Sequence, residues 1–228
     1  MVIGNGLIAQ RFAPYADNNQ FLIFASGVSN SKTTNPTAYE REWHLLNDCL
    51  KHFPNQHFVY FSTCSIYDPE EMNSVYVQHK LRIEELIIQK TQHHHIFRIS
   101  NLAGHAGNPN TVLNFFFYHV KQGINFDLWM NACRNIIDVD DAYHIIDHIL
   151  QNDLFPNNIV NIANPVNYPV ASIVNAIETF LDVQSDYIKI NKGSCFDIDI
   201  SLVQPLLGMT GLQANEHYLN NLLLKYFG

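Results

Sequence analysis

Tyr76 and Lys80 stand four residues apart in Tyr76-Val-Gln-His-Lys80, so on a helix both side chains share one face. A free phenol titrates at about pH 10 and exchanges protons poorly at neutrality. A neighbouring ammonium favours the phenolate and makes the phenol a usable proton shuttle. Upstream, the apolar run Phe58-Val-Tyr-Phe61 opens into Ser62-Thr63-Cys64-Ser65. A hydroxyl there, at the carboxyl end of a strand, can hydrogen-bond the oxygen that the phenol serves, and parallel sheets gather their chemistry at such ends. Near the N-terminus, Gly4-Asn5-Gly6-Leu7-Ile8-Ala9 follows Val2-Ile3. Its glycines permit a tight turn and close approach of a phosphate, and a helix that starts there offers free N–H groups. Each pattern alone is common, since Tyr76 can be a surface aromatic and Lys80 a solvated charge. In this order they describe a hydride-transfer site for NAD or NADP.

These groups need a scaffold, and the sequence supplies one. Strands are expected at 1–4, 21–26, 57–62, 95–99 and 159–162. Helices are expected at about 7–15, 37–52, 76–90, 110–122, 141–151 and 169–181, with a last one at about 214–227. Trp43, Leu45, Leu46, Cys49 and Leu50 give the second helix its apolar side; Leu81, Ile83, Leu86 and Ile87 recur at helical spacing after Tyr76. Alternation of strands and helices indicates a Rossmann-like α/β fold, a parallel sheet with helices on both faces. Only two helices fit between Gly6 and Ser62. The strand after the glycine turn ends in Ala25-Ser26-Gly27, without the carboxylate that usually grips the adenosine ribose.

A chain of 228 residues with 47% hydrophobic and 15% charged residues suits one soluble domain. Its formal net charge of -8 argues against nucleic-acid binding through a basic face. No apolar run reaches the roughly 18 residues of a membrane span. Cys49, Cys64, Cys133 and Cys195 form no Cys-x-x-Cys pair and read as reduced thiols of a cytoplasmic protein. His93-His94-His95 reads as a polar loop before a strand, because adjacent residues of an extended segment point to opposite faces and rarely share an ion; no metal site is expected. Asp138, Asp140 and Asp141 suit the start of a helix. Phe115-Phe116-Phe117-Tyr118 reads as packing, and Cys64 as a small core-facing residue.

The assembled motifs resemble the NAD-dependent epimerase/dehydratase family of extended short-chain dehydrogenases/reductases, almost from end to end. Gly4–Ala9 resembles its cofactor loop. Ser62-Thr-Cys-Ser-Ile-Tyr67 resembles its hydroxyl segment and puts the catalytic hydroxyl on Thr63, with Tyr76 and Lys80 as the catalytic pair. Arg98-Ile-Ser-Asn101-Leu-Ala-Gly104 and Arg134-Asn-Ile-Ile-Asp-Val-Asp-Asp141 resemble segments whose Asn and Arg meet the substrate. Asn161-Ile-Ala-Asn164 and Asp199-Ile-Ser201 through Leu207-Gly208 resemble later family segments. Phe21–Ser26 looks like the family's fourth strand, so the resemblance implies a sheet shortened by about two βα units.

The resemblance implies a cofactor site at Gly4, Asn5, Gly6, Leu7, Ile8, Ala25, Ser26, Gly27, Ser62, Tyr76 and Lys80, and a nucleotide-sugar site at Thr63, Cys64, Asn101 and Arg134. It implies a single domain over 1–228, with a small C-terminal substrate lobe from about 105–135 and 185–228. A homodimer through the Tyr76 helix is a further implication, although its apolar face can equally be core. Dehydratases of the family add a carboxylate pair where Cys64 and Ser65 stand, so an NAD(P)-dependent epimerase or ketoreductase is the expected activity. The alternative is a non-catalytic nucleotide- or sugar-binding protein on a reduced scaffold.

Overall fold

Phe21-Leu22-Ile23-Phe24 is apolar at every position, and alternate residues of a strand face opposite ways, so this strand must be covered on both sides. The computed structural model, which describes residues 1–105, 108–210, 212 and 217–228, shows that cover. Its first half runs β1 (Val2–Ile3), α1 (Leu7–Arg11), β2 (Phe21–Phe24), α2 (Pro36–His52), β3 (His57–Thr63), α3 (Val75–Lys90) and β4 (His94–Ile99). The second half adds β5 (Asn101–Ala103), α4 (Val112–Gln122), β6 (Phe126–Trp129), β7 (Cys133–Asp138) and α5 (Val139–Gln151). It ends with β8 (Asn158–Ile162), β9 (Asn167–Pro169), α6 (Val170–Leu181), β10 (Tyr187–Ile190) and α7 (His217–Phe227).

Five parallel strands in the order β1-β2-β3-β4-β8 form the central sheet. Leu22, Phe24, Phe58, Tyr60 and Ile96 pack on one face against Leu46 and Cys49 of α2 and Ile83 and Ile87 of α3. Phe21, Ile23, Val59, Phe61 and Phe97 face the other way, into the core shared with α4, α5, α6 and α7. The alternation expected from the residue types is therefore the alternation of the two cores. Ile83 and Ile87 are fully buried in the first of them, which settles that part of the Tyr76 helix as core. No helix of the described residues is long and apolar enough to cross a membrane.

Several expectations need correction. The first helix stops at Arg11, and Ala13–Tyr15 is a 3-10 turn, because Pro14 lacks an N–H and disfavours helical geometry in the residue before it. Arg134 and Asn135 lie within strand β7, which pairs with β5 in parallel and β9 in antiparallel fashion. The following helix begins at Val139, with the Asp138 carboxylate accepting from the Asp140 N–H as its N-cap. His94 and His95 belong to β4 and are buried, not part of a polar loop.

The cysteines are not all reduced. Cys133 and Cys195 form a disulfide, their Cα atoms 4.7 Å apart. They are 62 residues apart in sequence, but the tail runs beside β6 and β7: Asn131 N–H donates to Lys192 O and Cys133 N–H to Ser194 O. β6 and β10, which pair in parallel, escaped the sequence reading because each has only four residues, too few for a period of two to stand out.

Candidate active site

Thr63 closes β3, and its Oγ1 caps the 3-10 turn Cys64–Tyr67 by accepting from the Ser65 N–H at 3.0 Å. The same hydroxyl donates to Ser65 Oγ at 3.0 Å, so two hydroxyls are linked at the strand end. Ser74 caps α3 by accepting from the Val77 N–H, which puts Tyr76 in the first turn and Lys80 one turn deeper. Tyr76 is 8% exposed and Lys80 2%. The Lys80 ammonium lies 5.9 Å from the centre of the Tyr76 ring. The expected trio thus occupies adjoining turns at the carboxyl end of the sheet.

Burying an ammonium costs several kcal/mol unless it is matched, and the matching group is Glu42 of α2. Lys80 Nζ donates to Glu42 Oε1 and to Tyr60 Oη, each at 3.0 Å. Glu42, fully buried, also accepts from Tyr60 Oη at 2.7 Å, from the Val28 N–H at 2.7 Å and from His79 Nε2 at 3.1 Å. Burial pushes its pKa up, but the Lys80 ammonium and the hydrogen bonds from His79, Val28 and Tyr60 override this and bring it down to about 2. Gly27 makes the packing possible: a Cβ there would stand 2.6 Å from Lys80 Nζ. Sequence reasoning missed Glu42. The trace was there, since Tyr39, Glu42, Leu46 and Cys49 all lie on the buried face of α2, with Glu42 its one charge.

These groups open on a cavity of about 590 Å³. Asn5, Gly6, Leu7 and Ile8 of the glycine turn line it, as do Ala25, Ser26 and Gly27 after β2. Ser62, Thr63, Cys64, Tyr76, Lys80 and Asn101 complete the walls expected from sequence, and Ser65 joins them. Gly4 does not face the space. It has φ +132°, and a Cβ there would lie 2.3 Å from Ala25 O, so it lets the turn close onto β2.

Arg134 is not among the lining residues; it donates to its neighbour's carbonyl, Cys133 O, at 2.7 Å. Asn135 takes a place in the wall instead, its carbonyl accepting from Asn101 Nδ2 at 2.8 Å. Phe196 and Ile198 bring the C-terminal tail to the cavity, and Arg41 adds a cation.

Behind the cavity, Arg98 grips Glu84 with two hydrogen bonds, of 3.0 and 2.6 Å, and Ser62 Oγ donates to the same carboxylate. Arg98 also donates to Tyr67 Oη, which donates to Asn161 Oδ1. Three of the sequence motifs are thereby tied, through Glu84 of α3, into one structural clamp. Cys64 Sγ donates to Arg98 O, and burial pushes its thiol up to about 12, so it is a neutral packing group.

At the opposite end of the sheet, His95 Nε2 donates to Leu154 O at 2.7 Å. Its Nδ1 is then an acceptor, 2.7 Å from His57 Nε2. Asp153 lies beside the pair, with ligand atoms of all three residues within 4.8 Å of one another. The imidazoles satisfy each other and the backbone without an ion.

The model of the NAD dependent epimerase/dehydratase family matches residues 22–163, more than half of the sequence. The chain belongs to that family. The match begins after the glycine turn and takes in the hydroxyl segment, Tyr76, Lys80, Asn101 and Arg134. No curated protein matches the sequence.

Among solved structures, the dTDP-glucose 4,6-dehydratase of Bacillus anthracis str. Ames in complex with NAD is 17% identical, with a TM-score of 0.70 over 90% of this chain and 73% of that one. A UDP-galactose 4-epimerase is 14% identical, with a TM-score of 0.69 over 90% and 78% of the two chains. The Helicobacter pylori ADP-L-glycero-D-manno-heptose-6-epimerase gives 14% and 0.69 over 90% and 72%. At these identities the likeness shows the fold. The α/β sheet expected from sequence is the sheet of this family, carried on a shorter chain.

Proposed function

We propose that the protein is an NAD(P)-dependent epimerase or ketoreductase acting on a nucleotide-activated sugar. The observation that carries this reading is the convergence of Tyr76, Lys80 and Thr63 on one cavity, beside a glycine whose missing side chain leaves Lys80 room. In this reading Tyr76 exchanges a proton with a sugar hydroxyl or ketone at its Oη. Thr63 and Ser65 orient the same sugar oxygen through their linked hydroxyls. Lys80 holds a ribose hydroxyl with the proton not committed to Glu42 and Tyr60. Glu42 fixes the ammonium and, through the Val28 N–H, the loop that borders it.

What a nicotinamide ring supplies is acceptance and return of the hydride. The chain fits its ribose end: Gly27, Lys80, Ser62 and Tyr76 all face the cavity. Asn101 and Asn135 offer amide groups to the sugar, and Arg134 would meet a substrate diphosphate by turning from the Cys133 carbonyl. The support for nucleotide-sugar chemistry is the family together with neighbours named for dTDP-, UDP- and ADP-linked sugars. A dehydratase is disfavoured, because Cys64 and Ser65 occupy the place of its carboxylate pair and Cys64 stays neutral.

Titration of the purified chain with NADH and NADPH, followed by cofactor fluorescence, tests this reading. Saturable binding of either is expected. Absence of binding at millimolar cofactor would instead favour a sugar- or nucleotide-binding protein without turnover.

A further inference from the structure

β1 is an outer strand. It pairs with β2 on one side, and among the described residues no strand lies on the other. Dinucleotide-binding sheets usually continue past the glycine-turn strand, and the next strand end holds the adenosine ribose with a carboxylate. Here residues 4–20, with five-residue α1 and a 3-10 turn, lead from β1 directly into its neighbour β2. The turn, the β2 end and Lys80 are therefore present, while the ground on which adenosine would rest is not built.

The wall that remains has one distinctive charge. Arg41 and Lys80 are the basic side chains lining the cavity. Lys80 is neutralised by Glu42. Arg41 donates from Nη1 to Ser26 Oγ at 3.0 Å and from Nη2 to Ser26 O at 2.9 Å, both uncharged acceptors. Among the described residues no carboxylate stands within ion-pair distance of it. An uncompensated guanidinium on a cavity wall suits a phosphate, which it can hold with two parallel hydrogen bonds. Its place matters too: Ser26 adjoins Gly27, where a Cβ would touch Lys80 Nζ. Arg41 and Lys80 thus meet neighbouring residues of one segment on the same cavity wall, the arrangement a ribose with its phosphate calls for.

We propose that the site recognises only the nicotinamide–ribose–phosphate half of the cofactor, with Arg41 on the phosphate, so that a nicotinamide mononucleotide binds about as well as the dinucleotide. This rests on the cofactor reading above and goes beyond it, because it assigns the binding energy to one half of the molecule and to a residue outside the family motifs.

The experiment is a fluorescence titration of the full chain with NADH and with reduced nicotinamide mononucleotide, followed by competition of bound NADH with ADP. The expected result is two dissociation constants within about tenfold of each other, no displacement by millimolar ADP, and weakening of both ligands by about tenfold or more in Arg41→Gln. Arg41 is exposed, so this variant should keep the wild-type melting curve, which serves as its folding control. NADH binding more than tenfold tighter than the mononucleotide, or displacement by ADP, would overturn the proposal while leaving the cofactor reading intact. Unchanged affinities in Arg41→Gln would overturn the role of Arg41. Failure of both NADH and the mononucleotide to bind would overturn the cofactor reading and this proposal with it.

Discussion

At the carboxyl end of the sheet, Glu42 and Lys80 are buried as ions, matched to each other and to Tyr60, His79 and the Val28 N–H. At the amino end, His57, His94 and His95 are buried as neutral rings. Burial, reinforced by His95, lowers His57 to about 4, and burial lowers His94 and His95 as well. Desolvation acts at both ends, yet only one keeps its charge. A neutral pair is the cheaper way to fill polar space in a core, because an ion must be matched bond by bond. Retention of a matched ammonium at the end where the cavity opens supports the proposal that chemistry is done there.

The sharpest way to break this contrast is to remove one ion. Lys80→Met should lower turnover by about 10²-fold or more, since it takes the charge from beside Tyr76. His57→Gln, at a position that is also buried, should leave turnover near wild type. Similar losses in the two variants would show that both act through the fold alone.

Stability gives the next largest effect. Glu42→Ala leaves Lys80 buried without its carboxylate and should cost about 3–5 kcal/mol in denaturant unfolding. A cost below about 1 kcal/mol would mean that Lys80 finds water in the variant.

Acid should distinguish the ends in sequence. The unfolded imidazole of His57 takes up a proton below 6.5, while the folded one resists until about 4. Its contribution is therefore full above pH 6.5 and drains as pH falls toward 4. Glu42 stays ionised in the fold to about 2 against 4.5 when free, so its contribution is full above pH 4.5 and is lost as pH falls toward 2. Unfolding free energies measured across pH should decline in two stages, with His57→Gln flattening the upper and Glu42→Gln the lower. Smallest of all, Ser74→Ala removes the cap of α3 and should cost about 1 kcal/mol, read as a lowered melting temperature.

How much of this the sequence could tell follows from how local each feature is. Tyr76 and Lys80 were legible because helical spacing alone puts them together; the strand end pointed only to Ser62 or Thr63, and the family resemblance chose Thr63. Glu42 was half legible, as a charge on the buried stripe of α2 whose partner lies 38 residues away. The Cys133–Cys195 disulfide and the His57–His95 contact were not legible, because they depend on which distant segments lie side by side. Arg134 shows the opposite risk: its motif was recognised, but β7 turns the side chain to a backbone carbonyl and gives the wall to Asn135.

The central claim is that Tyr76 is the proton-transferring group of a nicotinamide-dependent site. It is tested most directly by the kcat of Tyr76→Phe, relative to wild type, with NAD and a panel of UDP- and dTDP-hexoses. The account expects a loss of about 10²-fold or more, with NADH affinity unchanged. A Tyr76→Phe variant that turns over the same sugar at the wild-type rate would contradict it.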